Sequence, residues 1–188
     1  MTIVVNLFAE PGAGKTTMMA AVFAELKFRG INCEMATEFA KDLVWEERNN
    51  AISNQLYISG KQYHRVNRLN GKVDVIITDS PILLGMIYNK HPSEHFNTVL
   101  AEHFDRFNNM NFMVVREEGD YKEEGRLQTE EESRKIKKDV ERLIHDYTTG
   151  CTCIFRSKEH VDLVVKLILG KLGDGNDGKK SKVSENAA

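Results

Sequence analysis

Cysteine is scarce. Cys33, Cys151 and Cys153 are the only three in 188 residues, an odd number without zinc-finger spacing, which excludes a disulfide scaffold and a structural zinc site and predicts a reducing compartment. Neither sign of charge is in excess. Lys and Arg total 26 against 28 Asp and Glu, a formal net charge of -2, so no global positive field exists to coat a polyanion. Long apolar runs are missing as well: the richest stretch, 161–169, is broken by Asp162 and Lys166 and cannot span a bilayer. The first eight residues lack the basic start and small-residue cleavage site of a signal peptide. These absences together predict a soluble cytoplasmic protein with no membrane partner. No internal repeat is visible.

What is present is alternation. Short β-branched runs at 3–8, 32–37, 73–78, 111–115 and 151–155 are separated by segments of helical period at 14–29, 38–47, 51–69, 93–107, 130–147 and 158–172. That order predicts an α/β fold, a three-layer sandwich around a five-stranded parallel sheet with right-handed crossovers. Thr129 and Glu132 have the spacing of a capping box, and Ile136, Val140, Leu143, Ile144 and Tyr147 repeat on one face behind it. Gly30 is placed to end the first helix, and Asn70-Gly71 to turn the chain into the third strand. The reading assigns 1–172 to one domain and 173–188, rich in Gly and charge, to a disordered polar tail whose acids do not fit a calcium loop.

The most specific motif joins the first strand to the first helix: Ala9-Glu10-Pro11-Gly12-Ala13-Gly14-Lys15-Thr16-Thr17. Small residues let consecutive main-chain N–H groups turn inward around an anion, and the helix N-terminus adds partial positive charge. Lys15 then reaches the β and γ phosphates, and the Thr16 hydroxyl is offered to Mg2+. Ala9 stands where the pattern usually has its first glycine. The expected ligands are ATP and Mg2+.

A second carboxylate follows the apolar run Val73-Asp74-Val75-Ile76-Ile77-Thr78: Asp79 emerges at the carboxyl edge of the sheet, to support Mg2+ through water, to orient the attacking hydroxyl, or only to cap a helix. A switch GTPase would carry Asp-x-x-Gly here, whereas position 82 is Ile, and Asn89-Lys90-His91-Pro92 lacks the guanine-reading Asp. A ring-forming AAA+ motor would add a helical lid domain, for which little chain remains after the fifth strand. A compact phosphotransferase is left. The polar stretch from Arg116 to Arg126, between the fourth strand and the capped helix, reads as a short lid bringing Arg116 and Arg126 to the transferring phosphoryl, with Arg134 behind them, or as a solvated charged loop.

On the acceptor side, Glu38 leaves the second strand at the same edge, with Lys41 one turn on, as a proton acceptor or as a first-turn residue set by the helix dipole. Tyr57, Tyr63, His64, Arg65 and Arg68 lie on one helix near Phe39 and Trp45, as a base-stacking and phosphate-binding face or as ordinary packing. Arg65, Arg68 and Lys72 could form a local cationic groove. His91 and His95 lack a third ligand, and Cys151 and Cys153 share one strand face as packing residues.

Through Glu-Pro-Gly-Ala-Gly-Lys-Thr-Thr, Thr37-Glu38-Phe39-Ala40-Lys41, Thr78-Asp79-Ser80-Pro81 and Gly125-Arg126, residues 3–172 resemble the thymidylate-kinase-like P-loop kinases, which include nicotinamide riboside kinase-like enzymes and phage 5-hydroxymethyluridine DNA kinases. Asp79-Ser80 stands where thymidylate kinases proper carry Asp-Arg. The resemblance implies a P-loop NTPase fold and ATP-dependent transfer of the γ-phosphoryl to a hydroxyl of a nucleotide-type acceptor. The acceptor it favours is 5-hydroxymethyluracil in phage DNA, with a free deoxynucleoside monophosphate or nucleoside, or a regulatory NTPase, as alternatives. A phage-encoded chain would work in the host cytoplasm.

Overall fold

The computed structural model describes residues 1–91, 93–116 and 129–183. Five strands form one all-parallel sheet: β1 (Ile3–Phe8), β2 (Cys33–Ala36), β3 (Val75–Thr78), β4 (Asn108–Val115) and β5 (Thr152–Phe155), in the order β2-β3-β1-β4-β5. The helices are α1 (Lys15–Phe28), α2 (Phe39–Trp45), α3 (Asn49–Ile52), α4 (Gln55–Asn67), α5 (Leu84–Tyr88), α6 (Glu94–Asp105), α7 (Glu130–Tyr147) and α8 (Lys158–Val183).

Every residue of β1 is buried, as expected of a central parallel strand covered on both faces. Side chains alternate across the sheet. Ile3, Val5, Leu7 and Ala9 pack with Met18, Met19, Val22 and Leu26 of α1 and Val161, Val164, Val165 and Ile168 of α8. On the other face Phe8 joins Phe104 of α6 and Val140 and Leu143 of α7, while Val4 joins Val66 of α4 and Phe107. The result is the three-layer α/β sandwich that the alternation predicts.

A polar residue in the middle of β1 interrupts its apolar run. Asn6 is buried and donates from Nδ2 to Asn109 Oδ1 at 2.9 Å and Asn111 Oδ1 at 3.0 Å, both on β4. Asn109 in turn donates to the Phe104 carbonyl, and Asn111 to the Gly150 carbonyl. This ladder explains why β4 begins at Asn108 and not at 111: asparagine is a poor strand former, so its run does not read as strand until a buried partner satisfies it.

Other boundaries moved for local reasons. The helix predicted at 51–69 is two helices, because Asn54 caps α4 by accepting from the Tyr57 N–H at 3.1 Å. Helix α5 was not predicted at all. The capping box at Thr129 and Glu132 is formed, and Gly30 and Gly71 have positive φ at the two predicted turns. Helix α8 continues to Val183, beyond position 172 where the apolar period ends and a disordered tail was expected; a helix anchored at its start adds one bond for each further residue. The expected lid lies outside the described residues except for Arg116. Among the described residues no helix is long and apolar enough to cross a membrane.

Candidate active site

The loop from Ala9 to Gly14 leaves the carboxyl end of β1 and enters α1 through Gly14, which takes φ 91° and ψ 21° at the N-cap. Gly12 has φ 87°. Both values lie in the left-handed region, where a β-carbon is strained. The loop is therefore built from main-chain groups and not from side chains. Lys15 folds back along it, its Nζ donating to the carbonyls of Ala9 at 3.1 Å and Glu10 at 3.2 Å.

Strand β3 pairs with β1 so that Asn6 lies opposite Thr78, and Asp79 follows at the same edge. The buried Thr78 hydroxyl donates to the Ala36 carbonyl at 2.8 Å and accepts from the Ser80 N–H at 3.2 Å, which holds the residue between them. Asp79 is 2% exposed and has two partners: Oδ2 accepts from the Thr16 hydroxyl at 2.6 Å, and Oδ1 from the Glu38 N–H at 3.1 Å. The phosphate loop, β3 and the β2–α2 junction thus converge on one carboxylate, which does not serve as a helix cap here.

Glu38 occupies the N-cap position of α2, but its side chain makes no capping hydrogen bond. Burial pushes its carboxyl above the ordinary value; Lys15 and Lys41 oppose the rise, and Asp79 and Asp42 add to it. Tyr88, at the end of α5, is also raised, first by burial and then by Glu38, so the phenol stays protonated near that carboxylate. Tyr88 was missed because a five-residue helix gives too little periodicity to be seen.

Arg116 is placed behind the loop. It donates to Ser133 Oγ at 3.2 Å and lies 4.0 Å from the buried Glu10 carboxylate, while Ser133 donates to the Pro11 carbonyl at 2.9 Å. Arg134 is exposed on α7. Arg126 lies outside the described residues.

A groove of about 470 Å³ opens at the β2–α2 junction, lined by Thr37 and Phe39 on either side of Glu38 and by Asp42, Lys61, His64, Arg65 and Arg68; Glu38 itself does not line it. Lys72 does not line it. Arg65 donates to the Thr37 carbonyl and hydroxyl, both at 3.0 Å, pairs with Asp42, and stacks 5.1 Å above Phe39. Tyr57 and Tyr63 are half-buried against Phe39 and Phe107 respectively, so they pack more than they present faces. Cys151 is half-buried and packs against the cluster of Phe8 and Leu143, as expected, whereas Cys153 is exposed, against the packing expected of it. Among the described residues no group of three or more His, Cys, Asp or Glu is arranged to hold a metal.

The donor set fits a magnesium-bound polyphosphate. Left-handed glycines give the loop the main-chain turn of an anion nest, Lys15 supplies a cation, and the Thr16 hydroxyl beside Asp79 offers the hard oxygen ligands that Mg2+ prefers. Such an ion, when bound, neutralises charge across the phosphates.

Sheet order, loop and the carboxylate beside Thr16 define a P-loop nucleotide-binding domain of kinase-like architecture. The chain belongs to the AAA domain family, whose profile matches residues 6–160. This family carries the name of the AAA class, to which the ring-forming motors disfavoured by the sequence also belong. Nucleotide binding, ordinarily with Mg2+, follows from membership. Shikimate kinase from Acinetobacter baumannii in complex with shikimate is similar in structure, with a TM-score of 0.52 at 13% identity over 91% of this chain and 94% of that one. Deoxyadenosine kinase from M. mycoides with bound dATP superposes with a TM-score of 0.50 at 16% identity over 92% of this chain and 100% of the other. These likenesses establish the fold. No curated protein matches in sequence.

Proposed function

We propose that the chain is an ATP-dependent kinase, allied within its family to the thymidylate-kinase-like enzymes, that transfers the γ-phosphoryl to a hydroxyl of a nucleotide-type acceptor. The observation that carries this reading is the meeting of Thr16, Asp79 and Glu38: one carboxylate beside the metal-binding hydroxyl, and a second, more basic carboxylate fixed to it through its own N–H. We assign Glu38 the acceptance of the acceptor's proton, because a carboxyl raised by burial is a stronger base once ionised. Lys15 holds the phosphates from the loop, and Arg116 and Arg126 belong to the segment that would surround the transferring group.

The groove at the β2–α2 junction supports an acceptor that carries phosphate of its own. Lys61, His64 and Arg68 are exposed along it, and Arg65 is held in a fixed orientation by Thr37 and Asp42. Our finer reading takes the acceptor as the primary alcohol of 5-hydroxymethyluracil in DNA, a choice that rests on the sequence resemblance and fits a groove able to seat a phosphodiester chain. Incubation with γ-labelled ATP and, separately, hydroxymethyluracil-containing DNA, free nucleoside monophosphates and nucleosides is the test. Label on the DNA is the expected result. Label only on a small molecule would replace the DNA acceptor, and phosphate release without transfer would make the chain an NTPase and end the kinase reading.

A further inference from the structure

Arg156 lies at the junction of β5 and α8. Its backbone is fixed on both sides: β5 ends at Phe155, and Ser157 caps α8 by accepting from the His160 N–H at 3.3 Å, while the Phe155 ring packs edge-on against His160 at 5.4 Å. Helix α8 lies along α1 in the shared core, and Lys158 reaches Glu25 on α1 at 3.7 Å. This packing carries the β5–α8 junction over the beginning of α1. The Arg156 stem crosses Gly14 so closely that a β-carbon there would lie 2.6 Å from Cδ and 3.4 Å from Nε.

We propose that Arg156 is a second cationic grip on the nucleotide's phosphates, applied from the β5 side of the loop and complementary to Lys15. The glycine at position 14 thus meets two demands, a left-handed turn and room for an arginine stem. Arg156 is exposed at the positive end of a helix that already carries Lys15 in its first turn. A multiply charged anion held by the loop would lie at that same helix end, where both side chains and the helix dipole favour negative charge. A guanidinium also presents a planar fork that matches phosphate oxygens in pairs. The inference rests on nucleotide binding alone and is independent of the acceptor.

The test is calorimetric titration of the full chain and of Arg156→Met and Arg156→Lys with MgATP and, separately, with magnesium and inorganic tripolyphosphate. Arg156→Met keeps a stem across Gly14 without the charge, and melting of the nucleotide-free variants checks that they fold. The expected result is weakening of both ligands by about 10- to 100-fold in Arg156→Met, with part of the loss recovered in Arg156→Lys. Unchanged MgATP affinity overturns the proposal. So does a loss confined to MgATP with tripolyphosphate unaffected, because that outcome assigns the contact to the base or sugar. Failure of the unsubstituted chain to bind either ligand would overturn the nucleotide site as a whole.

Discussion

Replacing Asp79 separates its structural task from its electrostatic one. The carboxylate is buried and accepts two hydrogen bonds, from the Thr16 hydroxyl and the Glu38 N–H. In Asp79→Asn the amide oxygen still accepts from the Glu38 N–H, and the amide N–H2 meets the Thr16 hydroxyl, which can rotate to accept. Both bonds survive in neutral form, so the stability loss is about 1 kcal/mol. Asp79→Ala strands both donors, and at roughly 1–3 kcal/mol for each unsatisfied group it loses several-fold more. Urea unfolding of the nucleotide-free proteins measures this difference. Turnover behaves otherwise: both variants lose the negative charge beside the metal-binding hydroxyl, and both should lose roughly 100- to 1000-fold in γ-phosphoryl transfer or phosphate release. MgATP affinity by calorimetry should change far less. Turnover of Asp79→Asn at the unsubstituted rate would refute the metal-side role. Equal destabilisation by Asn and Ala would refute the hydrogen-bond argument.

Lys15→Ala should reduce turnover by several orders of magnitude in the same assay, while removing its bonds to the Ala9 and Glu10 carbonyls costs only about 1–2 kcal/mol in urea unfolding. Glu38 should give the transfer rate an acid limb centred above the ordinary carboxylate range, since burial raises the group and the base must be ionised; Glu38→Gln should remove the limb and lower the rate by about 100- to 10,000-fold. Because the folded state holds that proton more tightly than the unfolded chain, the stability it contributes is full below the unfolded value and is lost as pH rises through the folded one. Glu38→Gln should therefore be the more stable protein at neutral pH, read by thermal melting. Gly14→Ala places a β-carbon at φ 91° against the Arg156 stem and should lower stability by about 1–2 kcal/mol, or roughly 2–8 °C in melting temperature.

The parts of this molecule visible in its sequence are those written in short-range chemistry. The phosphate loop, the apolar run ending at Asp79 and the Thr129 capping box each need only neighbouring residues to be recognised. β1 and α7 are found at their predicted bounds because burial on both sheet faces and an amphipathic stripe leave unambiguous periods. The start of β4 was hidden because its asparagines become strand-like only through Asn6, more than a hundred residues earlier. The break at Asn54 was legible in principle as an N-cap but was overrun by the helical period on either side. Arg156 had a signal too, since the residue after any strand of a parallel sheet arrives at the ligand edge; what could not be read was the α1–α8 packing that brings it to Gly14. Arg116 was legible as a strand-end arginine next to β4, but its approach to the Glu10 carboxylate at 4.0 Å is made only in the folded chain.

The asparagine trio also governs how precisely the nucleotide end of the molecule is assembled. Sliding β4 by two positions would preserve which side chains meet the helices, so hydrophobicity alone penalises it weakly. It would, however, leave Asn6 with only one of its two amide partners in a dry interior, at about 1–3 kcal/mol for a buried polar group left unmatched. Asn6 lies three residues before Ala9 and faces Thr78, the residue preceding Asp79. A few uncharged amides within the sheet therefore act as a vernier, setting the height at which the loop after β1 and the carboxylate of Asp79 meet.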